Sequence, residues 1–354
     1  MNKYLTILES AWQEHFAERE PNAPTVISTF AGCGGSSLGY SMAGFRELLA
    51  NEWDDNAVQT FKLNFPDVPV IQGDIAKLSV EEVLEITKLQ PGELDVLDGS
   101  PPCQGFSTAG DREIMDERNQ LFREYVRLLR GLQPKVFVME NVSGMVKGKM
   151  KLIFADILRE LKASGYKVSA RLLNAMYFNV PQSRQRLIFI GVREDLGIEP
   201  SHPKAESRPF TVRDALEGCP DYEVNQLLVG ESYKIICNMR QGEDGSKAYK
   251  RLFNNGKDKW FNMVRCSWNK PAPTIGKTGG MALIHPKRNN TLNIEEYKRI
   301  GSFPDPFKFV GTYSNMKQRI GNSVPPLFMW SIAKHVRKNI IDVIGKEPVL
   351  IEEN

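Results

Sequence analysis

Cysteine is sparse in this sequence, with five residues in 354, at positions 33, 103, 219, 237 and 266. An odd, scattered set excludes a disulfide framework, and no two are spaced closely enough for a zinc knuckle. Each is read as a reduced thiol, and only its neighbours can single one out. Also lacking is any apolar run as long as a membrane span needs. The first twenty residues mix Glu, His and Lys among their apolar positions, unlike a secretory signal. Internal repeats and low-complexity segments are missing too. These absences point to a cytoplasmic globular protein, and 41% hydrophobic with 25% charged residues agrees with that. The length allows a large core and two domains, one of them small.

Net charge is only +3, but it is unevenly spread. From Lys234 to Arg288 there are twelve Lys or Arg against three Asp or Glu. A basic segment beside an acidic body fits a polyanion site, although a solvated basic face has the same look.

Short apolar, β-branched runs recur with helical stretches between them: Val26–Phe30, Leu48–Trp53, Val68–Ile75, Leu94–Leu97, Val136–Met139, Tyr166–Leu173 and Leu187–Val192. This alternation predicts an α/β fold, a doubly wound and mostly parallel sheet covered on both faces. Leu152 to Leu161 has helical spacing and Gly165 follows as a stop. After Val192 the texture turns to Pro, Gly, Asn and Lys, which predicts loops and short strands. A last helical pattern from Leu327 to Ile344 needs a core, and the sheet is its host. The expected organisation is therefore a discontinuous larger domain, 1–195 plus 287–354, with a smaller irregular domain, 196–286, inserted. At the N-terminus Leu5, Leu8, Trp12 and Phe16 share one helical face, read as a packing helix.

Chemistry-bearing residues fall at the predicted strand ends. Phe30-Ala31-Gly32-Cys33-Gly34-Gly35 follows the first strand as a Gly-rich turn, with Ser36 and Ser37 available to cap the next helix. Asn51-Glu52-Trp53 ends the second strand and places an acid for ribose hydroxyls, and Asp74 in Gly73-Asp74-Ile75 closes the third similarly. Together they suit an adenosine-bearing cofactor, a dinucleotide included. Gly99-Ser100-Pro101-Pro102-Cys103-Gln104-Gly105 follows the fourth strand, where two prolines stiffen the turn that carries Cys103. A thiolate there could add to an electron-poor ring carbon. The plain alternative is a structural Cys in a turn. Glu140 in Glu140-Asn141-Val142 ends the fifth strand and could move a proton at the same edge. In Gln182-Ser183-Arg184-Gln185-Arg186 the alternating arginines are expected on one side of an extended segment, suited to phosphate or a base oxygen, or simply to surface ion pairs.

Taken in order, these motifs, together with Gly321-Asn322-Ser323-Val324-Pro325-Pro326, resemble the cytosine-5 DNA methyltransferase family from about Thr25 to His335. The resemblance implies a Rossmann-like methyltransferase fold with a target-recognition part in 196–286. It implies that Phe30, Gly32, Gly34, Glu52, Trp53, Asp74, Ile75, Leu121 and Asn322 surround S-adenosylmethionine. Cys103 would be the nucleophile, Glu140 the partner of the cytosine Watson–Crick edge, and Arg184 and Arg186 contacts to a flipped nucleotide. Double-stranded DNA is the implied partner, with a cognate restriction endonuclease acting on the same site in a restriction-modification system, or a solitary role in a bacterial or archaeal nucleoid. No metal is implied, and a monomer is expected. Trp268 to Ile275 also has the family's look. One departure stands out: the family's Arg-x-Leu-Thr reads here Asn290-Thr291-Leu292-Asn293, although Phe303-Pro304-Asp305 is intact. Competing readings are a tRNA cytosine methyltransferase, a catalytically idle DNA-binding relative, and a dinucleotide oxidoreductase supported by the Gly-rich turn alone.

Overall fold

A computed structural model of the chain describes residues 2–102, 120–148, 150–206, 208–220, 230–253, 262–276 and 282–345. Seven strands form the main sheet: β1 (Thr25–Thr29), β2 (Arg46–Glu52), β3 (Val70–Gln72), β4 (Val96–Gly99), β5 (Val136–Val142), β6 (Tyr166–Asn174) and β8 (Gln185–Arg193), with the two-residue β7 (Gln182–Ser183) preceding β8. Their order is β3-β2-β1-β4-β5-β8-β6. The first five are parallel, and β8 runs antiparallel to both β5 and β6. Only β8 therefore runs against the rest, and the mostly parallel, doubly wound expectation holds.

The strands read as near-continuous apolar runs because both faces are buried. Alternate residues go to opposite sides. Val26, Val96, Val136, Val138, Ile188 and Ile190 join one core, while Ile27, Leu97, Phe137, Met139, Leu187 and Phe189 join the other. The second core is closed by helices α4 (Val80–Thr87), α5 (Gln120–Leu132) and α6 (Met150–Lys162). The first is covered by α1 (Lys3–His15), α2 (Gly35–Met42) and α3 (Asp55–Asn64), and by helices from the end of the chain.

Within 196–286 the structure corrects the expectation of loops and short strands alone. Three helices lie there, α7 (Val212–Leu216), α8 (Gly230–Asn238) and α9 (Gly245–Phe253), beside the short strands β9 (Met263–Arg265), β10 (Ala272–Pro273) and β11 (Ala282–Ile284). Periodicity hid α8 and α9 because each buries a narrow stripe, Ile235 with Ile236 and Ala248 with Tyr249. These close a small core with Met239, Met263 and Ile284.

The chain then returns through α10 (Ile294–Ile300), α11 (Tyr313–Asn322) and α12 (Pro326–Asn339). Helix α12 lies against α2, where Trp330 Nε1 donates to Met42 O at 3.1 Å and Arg337 Nη1 to Ala43 O at 2.9 Å. The departure at 290–293 has a local explanation, because Asn293 caps α10 in a reciprocal pair with Glu296. Helix α1 forms, but its buried face is Tyr4, Leu8 and Ala11, while Phe16 is 64% exposed. Of the expected stripe, Leu8 is buried and Leu5 and Trp12 pack partly buried on the same core, while Phe16 lies past the helix end and Tyr4 and Ala11 join the interior.

Candidate active site

The site is assembled along one edge of the sheet. The carboxyl ends of the parallel β1 to β5 meet there, and antiparallel β8 begins there, with Arg186 registered opposite Val142. Ligands of open α/β sheets bind at this edge.

The turn after β1 is held from both sides. Phe30 (φ 54°), Gly32 (φ 57°) and Gly34 (φ 93°) are left-handed, and Phe30 adopts this conformation without a glycine's freedom. Gly32 N donates to Glu52 Oε2 at 2.8 Å. The other carboxylate oxygen of Glu52 accepts from Trp53 N and Asp54 N, both at 2.9 Å. A Cβ on Gly34 would lie 2.4 Å from the Phe65 ring, and one on Gly35 would lie 2.4 Å from Val324 O, whereas Gly32 faces open space. Gly34 and Gly35 therefore serve packing against the protein, and Gly32 is the turn residue left for a ligand. Ser36 and Ser37 do not cap α2, as expected from sequence. Gly34 is its N-cap, and the buried Ser37 hydroxyl donates to Glu47 Oε1 at 2.9 Å.

Trp53 stands just past β2 with 77% of its surface exposed, a large flat ring beside the Glu52 carboxylate. Strand β3 ends at Gln72, so Asp74 caps the following 3-10 turn by accepting from Ala76 N at 3.0 Å, and Ile75 is buried below it. Leu121 is half-buried at the start of α5. Asn322 ends α11 exposed, and its neighbours bring the far end of the chain to the Gly-rich turn. Cys33 Sγ lies 3.1 Å from Ser323 Oγ, and Arg319 Nη1 pairs with Asp54 Oδ1 at 3.0 Å. Burial raises the Cys33 thiol to about 11, which suits an inert packing thiol.

Cys103 lies outside the described residues, but the turn leading to it is fixed. Ser100 Oγ donates to Phe30 O at 3.3 Å, and Asn141 Nδ2 donates to Pro101 O at 3.2 Å. The peptide before Cys103 is thus tied to the Gly-rich turn on one side and to the Glu140-Asn141 pair on the other. Glu140 and Arg186 are diagonal neighbours across β5 and β8, and Arg186 Nε lies 2.5 Å from Glu140 Oε1 with both side chains largely buried. Arg184 does not share this direction. It sits in the break between β7 and β8, 2% exposed, with Nη1 donating to Ile275 O at 3.3 Å. Burial first, and the neighbouring Arg186 second, push its pKa down to about 9. Gln182 accepts from Ile275 N at 3.2 Å, and Thr274 donates to Ser183 O at 2.8 Å, so the Trp268–Ile275 stretch is laced onto the arginine segment.

Sequence reasoning passed over Asp98. It is buried beneath α2, where burial, then Glu47, raise its pKa to about 8 against the hydroxyls of Ser36 and Tyr40. The available signal was a charged residue directly after an apolar strand run. Among the described residues no cluster of His, Cys, Asp and Glu could hold a metal, and no helix is long and apolar enough to cross a membrane.

Known proteins share this arrangement. The model of the C-5 cytosine-specific DNA methylases matches residues 24–338. The type II methyltransferase M1.HphI of Haemophilus parahaemolyticus is 36% identical over 335 residues, spanning 89% of this chain and 87% of its own. M.NgoPII of Neisseria gonorrhoeae is 34% identical over 339 residues, 90% and 97% of the two chains. A solved prophage-encoded protein of Escherichia coli, described as a DNA modification methyltransferase, superposes with a TM-score of 0.71 at 28% identity, covering 90% of this chain and 100% of that one. A DNMT2 variant of Spodoptera frugiperda, at 17% identity and a TM-score of 0.62, shares the fold. The family match over residues 24–338 and relatives at 34–36% identity over most of both chains place this chain in the C-5 cytosine-specific DNA methylase family, as a DNA (cytosine-5-)-methyltransferase.

Proposed function

We propose that the protein methylates C5 of a cytosine within a specific duplex DNA sequence, as the modification enzyme of a type II restriction-modification system, through a covalent Cys103 adduct. The observation that carries this is the clamp on Ser100 and Pro101, which ties the segment just before residue 103 in sequence to Phe30 and to Asn141, the neighbour of the Arg186-paired Glu140. The neighbouring relatives named as type II methyltransferases supply the biological setting.

Cytosine C5 is a weak nucleophile. In this reading the Cys103 thiolate forms a bond to C6, and electron density moves through the ring to C5 while Glu140 bonds the N3 edge and offsets the charge that develops there. S-adenosylmethionine, when bound, would supply a sulfonium methyl group, the S–CH3 bond breaking as the C5–CH3 bond forms and S-adenosylhomocysteine leaving as product. Loss of the C5 proton to a base then expels Cys103 and restores the ring. A stacked base is out of reach, so the target is flipped from the helix. Arg186 steadies Glu140, and Arg184 holds the 272–275 segment through Ile275 O, with its buried Nε, unpartnered among the described residues, as the donor left for a flipped nucleotide.

The residues fit the donor: Trp53 offers an exposed ring for adenine, Glu52 a carboxylate already fixed beside Gly32 for ribose, and Phe30, Gly32, Asp74, Ile75, Leu121 and Asn322 the surrounding wall, with Gly34 packed on Phe65 behind the turn. Residues 196–286 form the target-recognition domain of this reading, inserted into a catalytic domain of 1–195 plus 287–354. Its lysines and arginines neutralise phosphates, and a few side chains read base edges. The protein acts in the cytoplasm as a monomer.

The test is trapping. Duplex DNA carrying 5-fluorocytosine at the methylated position, with donor present, becomes covalently attached to the wild-type protein and not to Cys103→Ser. Absence of an adduct on methylatable DNA overturns the mechanism, and methyl transfer confined to tRNA overturns the substrate.

A further inference from the structure

Helix α1 lies outside residues 24–338 that match the family, and nothing in the catalytic reading uses it. It is nonetheless tied down at both ends. At the first end Asn2 Nδ2 donates to Asp214 O at 2.8 Å and Glu217 Oε2 at 3.0 Å, and the buried Tyr4 hydroxyl donates to Arg299 O. These anchors sit where the chain leaves and re-enters the body around the 217–293 segment. At the other end His15 Nδ1 lies 2.7 Å from Ser41 Oγ on α2, and Arg19 Nη2 donates to Ser41 O at 2.7 Å.

The second end reaches the cofactor turn. The His15 ring meets Phe65 edge-on, with centroids 5.4 Å apart. Phe65 is the ring a Cβ on Gly34 would strike at 2.4 Å. Helix α1, His15, Phe65 and the Gly-rich turn are therefore packed in series. His15 is held as a neutral ring, since burial and the adjacent Arg19 push its pKa down to about 4. A neutral ring packs against Phe65 without the desolvation cost of a cation.

The turn needs such backing. It contains left-handed Phe30, Gly32 and Gly34, and backbone in sparsely populated regions persists only when its surroundings over-determine it. Glu52 holds the turn from the ligand side through Gly32 N. Phe65 holds it from behind, and His15 stands behind Phe65.

We propose that α1 is a strut for the cofactor turn and that His15 is a positioning residue, acting through Phe65 to keep Gly32–Gly35 shaped for the donor. This rests on the reading that the turn binds S-adenosylmethionine. Without the His15 ring, Phe65 gains room to move, the turn samples other conformations, and the ligand must restore the ordered one. Donor affinity falls while the groups that touch DNA are unchanged.

The experiment uses the full chain, with S-adenosylhomocysteine as calorimetric probe. His15→Ala weakens its binding about fivefold or more, with duplex DNA affinity measured without cofactor within about twofold of wild type. His15→Phe, which keeps a ring against Phe65 but loses the Ser41 bond, restores most of the affinity. Tyr4→Phe, at the far end of the helix, lowers thermal stability and leaves probe affinity unchanged, which separates positioning from general loss of stability. Equal probe affinity in wild type and a folded His15→Ala overturns the strut. Wild-type protein that binds no probe overturns the cofactor assignment instead, so the two failures are distinguishable.

Discussion

Glu140 reaches the sheet edge already paired, with Arg186 Nε 2.5 Å away and its carboxylate largely enclosed. A carboxyl group in this position can bond N3 of a target base, and the fixed Arg186 cation offsets negative charge on it. Glu140→Gln keeps the shape and removes the ionisable group. The expected result is a fall in kcat of roughly 10² to 10³, with S-adenosylmethionine affinity within about twofold of wild type, read by single-turnover methyl transfer and calorimetry. A variant with undiminished kcat would remove Glu140 from the chemistry. At this scale the sequence announces its site well, because polar residues that directly follow apolar strand runs stand out. What it does not announce is which polar side chain is satisfied internally. Arg184 and Arg186 are two residues apart, yet one is enclosed against Ile275 and the other faces Glu140, a split made by the break between β7 and β8.

Elements were legible in proportion to the apolar surface they bury. All seven sheet strands and α6 carry long or strictly spaced apolar runs, and each was placed to within a few residues of its observed bounds. Helices α8 and α9 escape the reading because they bury only Ile235 and Ile236, and Gly245, Ala248 and Tyr249, which gives few apolar positions from which to read a period. The packing face of the N-terminal helix is legible in Leu5, Leu8 and Trp12, and what the pattern omits is Tyr4, which fills the interior because its hydroxyl finds a carbonyl. Helix α9 turns Lys247 and Lys250 outward from its buried Ala248 and Tyr249, while Arg251 pairs with Glu243. If it contacts DNA, Lys247→Gln weakens binding to all duplexes alike and lowers the slope of log affinity against log salt by about one. Fluorescence anisotropy across a salt series reads this, and an unchanged slope would place Lys247 off the DNA.

Across the whole molecule, buried ionisable groups oppose one another in their effect on stability. Burial lowers His15, His202 and His285 to about 4, so their contribution is present above the free histidine value of about 6.5 and is lost as pH falls toward 4. Asp98 and Glu47 behave in the reverse sense, because burial raises them to about 8 and about 7. A carboxyl whose folded pKa is raised binds its proton more tightly in the native state. Its contribution is full below the unfolded value of about 4 and is lost as pH rises through the folded value. The groups facing Asp98 are Glu47 on β2, Ser36 and Tyr40 on α2, Glu140 on β5 and Tyr125 on α5, and none of them supplies a positive charge. Between pH 7 and 8.5 the histidines are already neutral, the two carboxyls ionise in the folded protein, and the thiols of Cys33, Cys219 and Cys266, raised by burial, ionise only in the unfolded chain, which lowers stability in the same sense. Stability should therefore decline over this interval by about 2 kcal/mol. Asp98→Asn, which cannot ionise, should flatten that decline, as read from urea unfolding at each pH. Parallel pH profiles for the variant and the wild type would show that Asp98 already carries its charge in the folded protein.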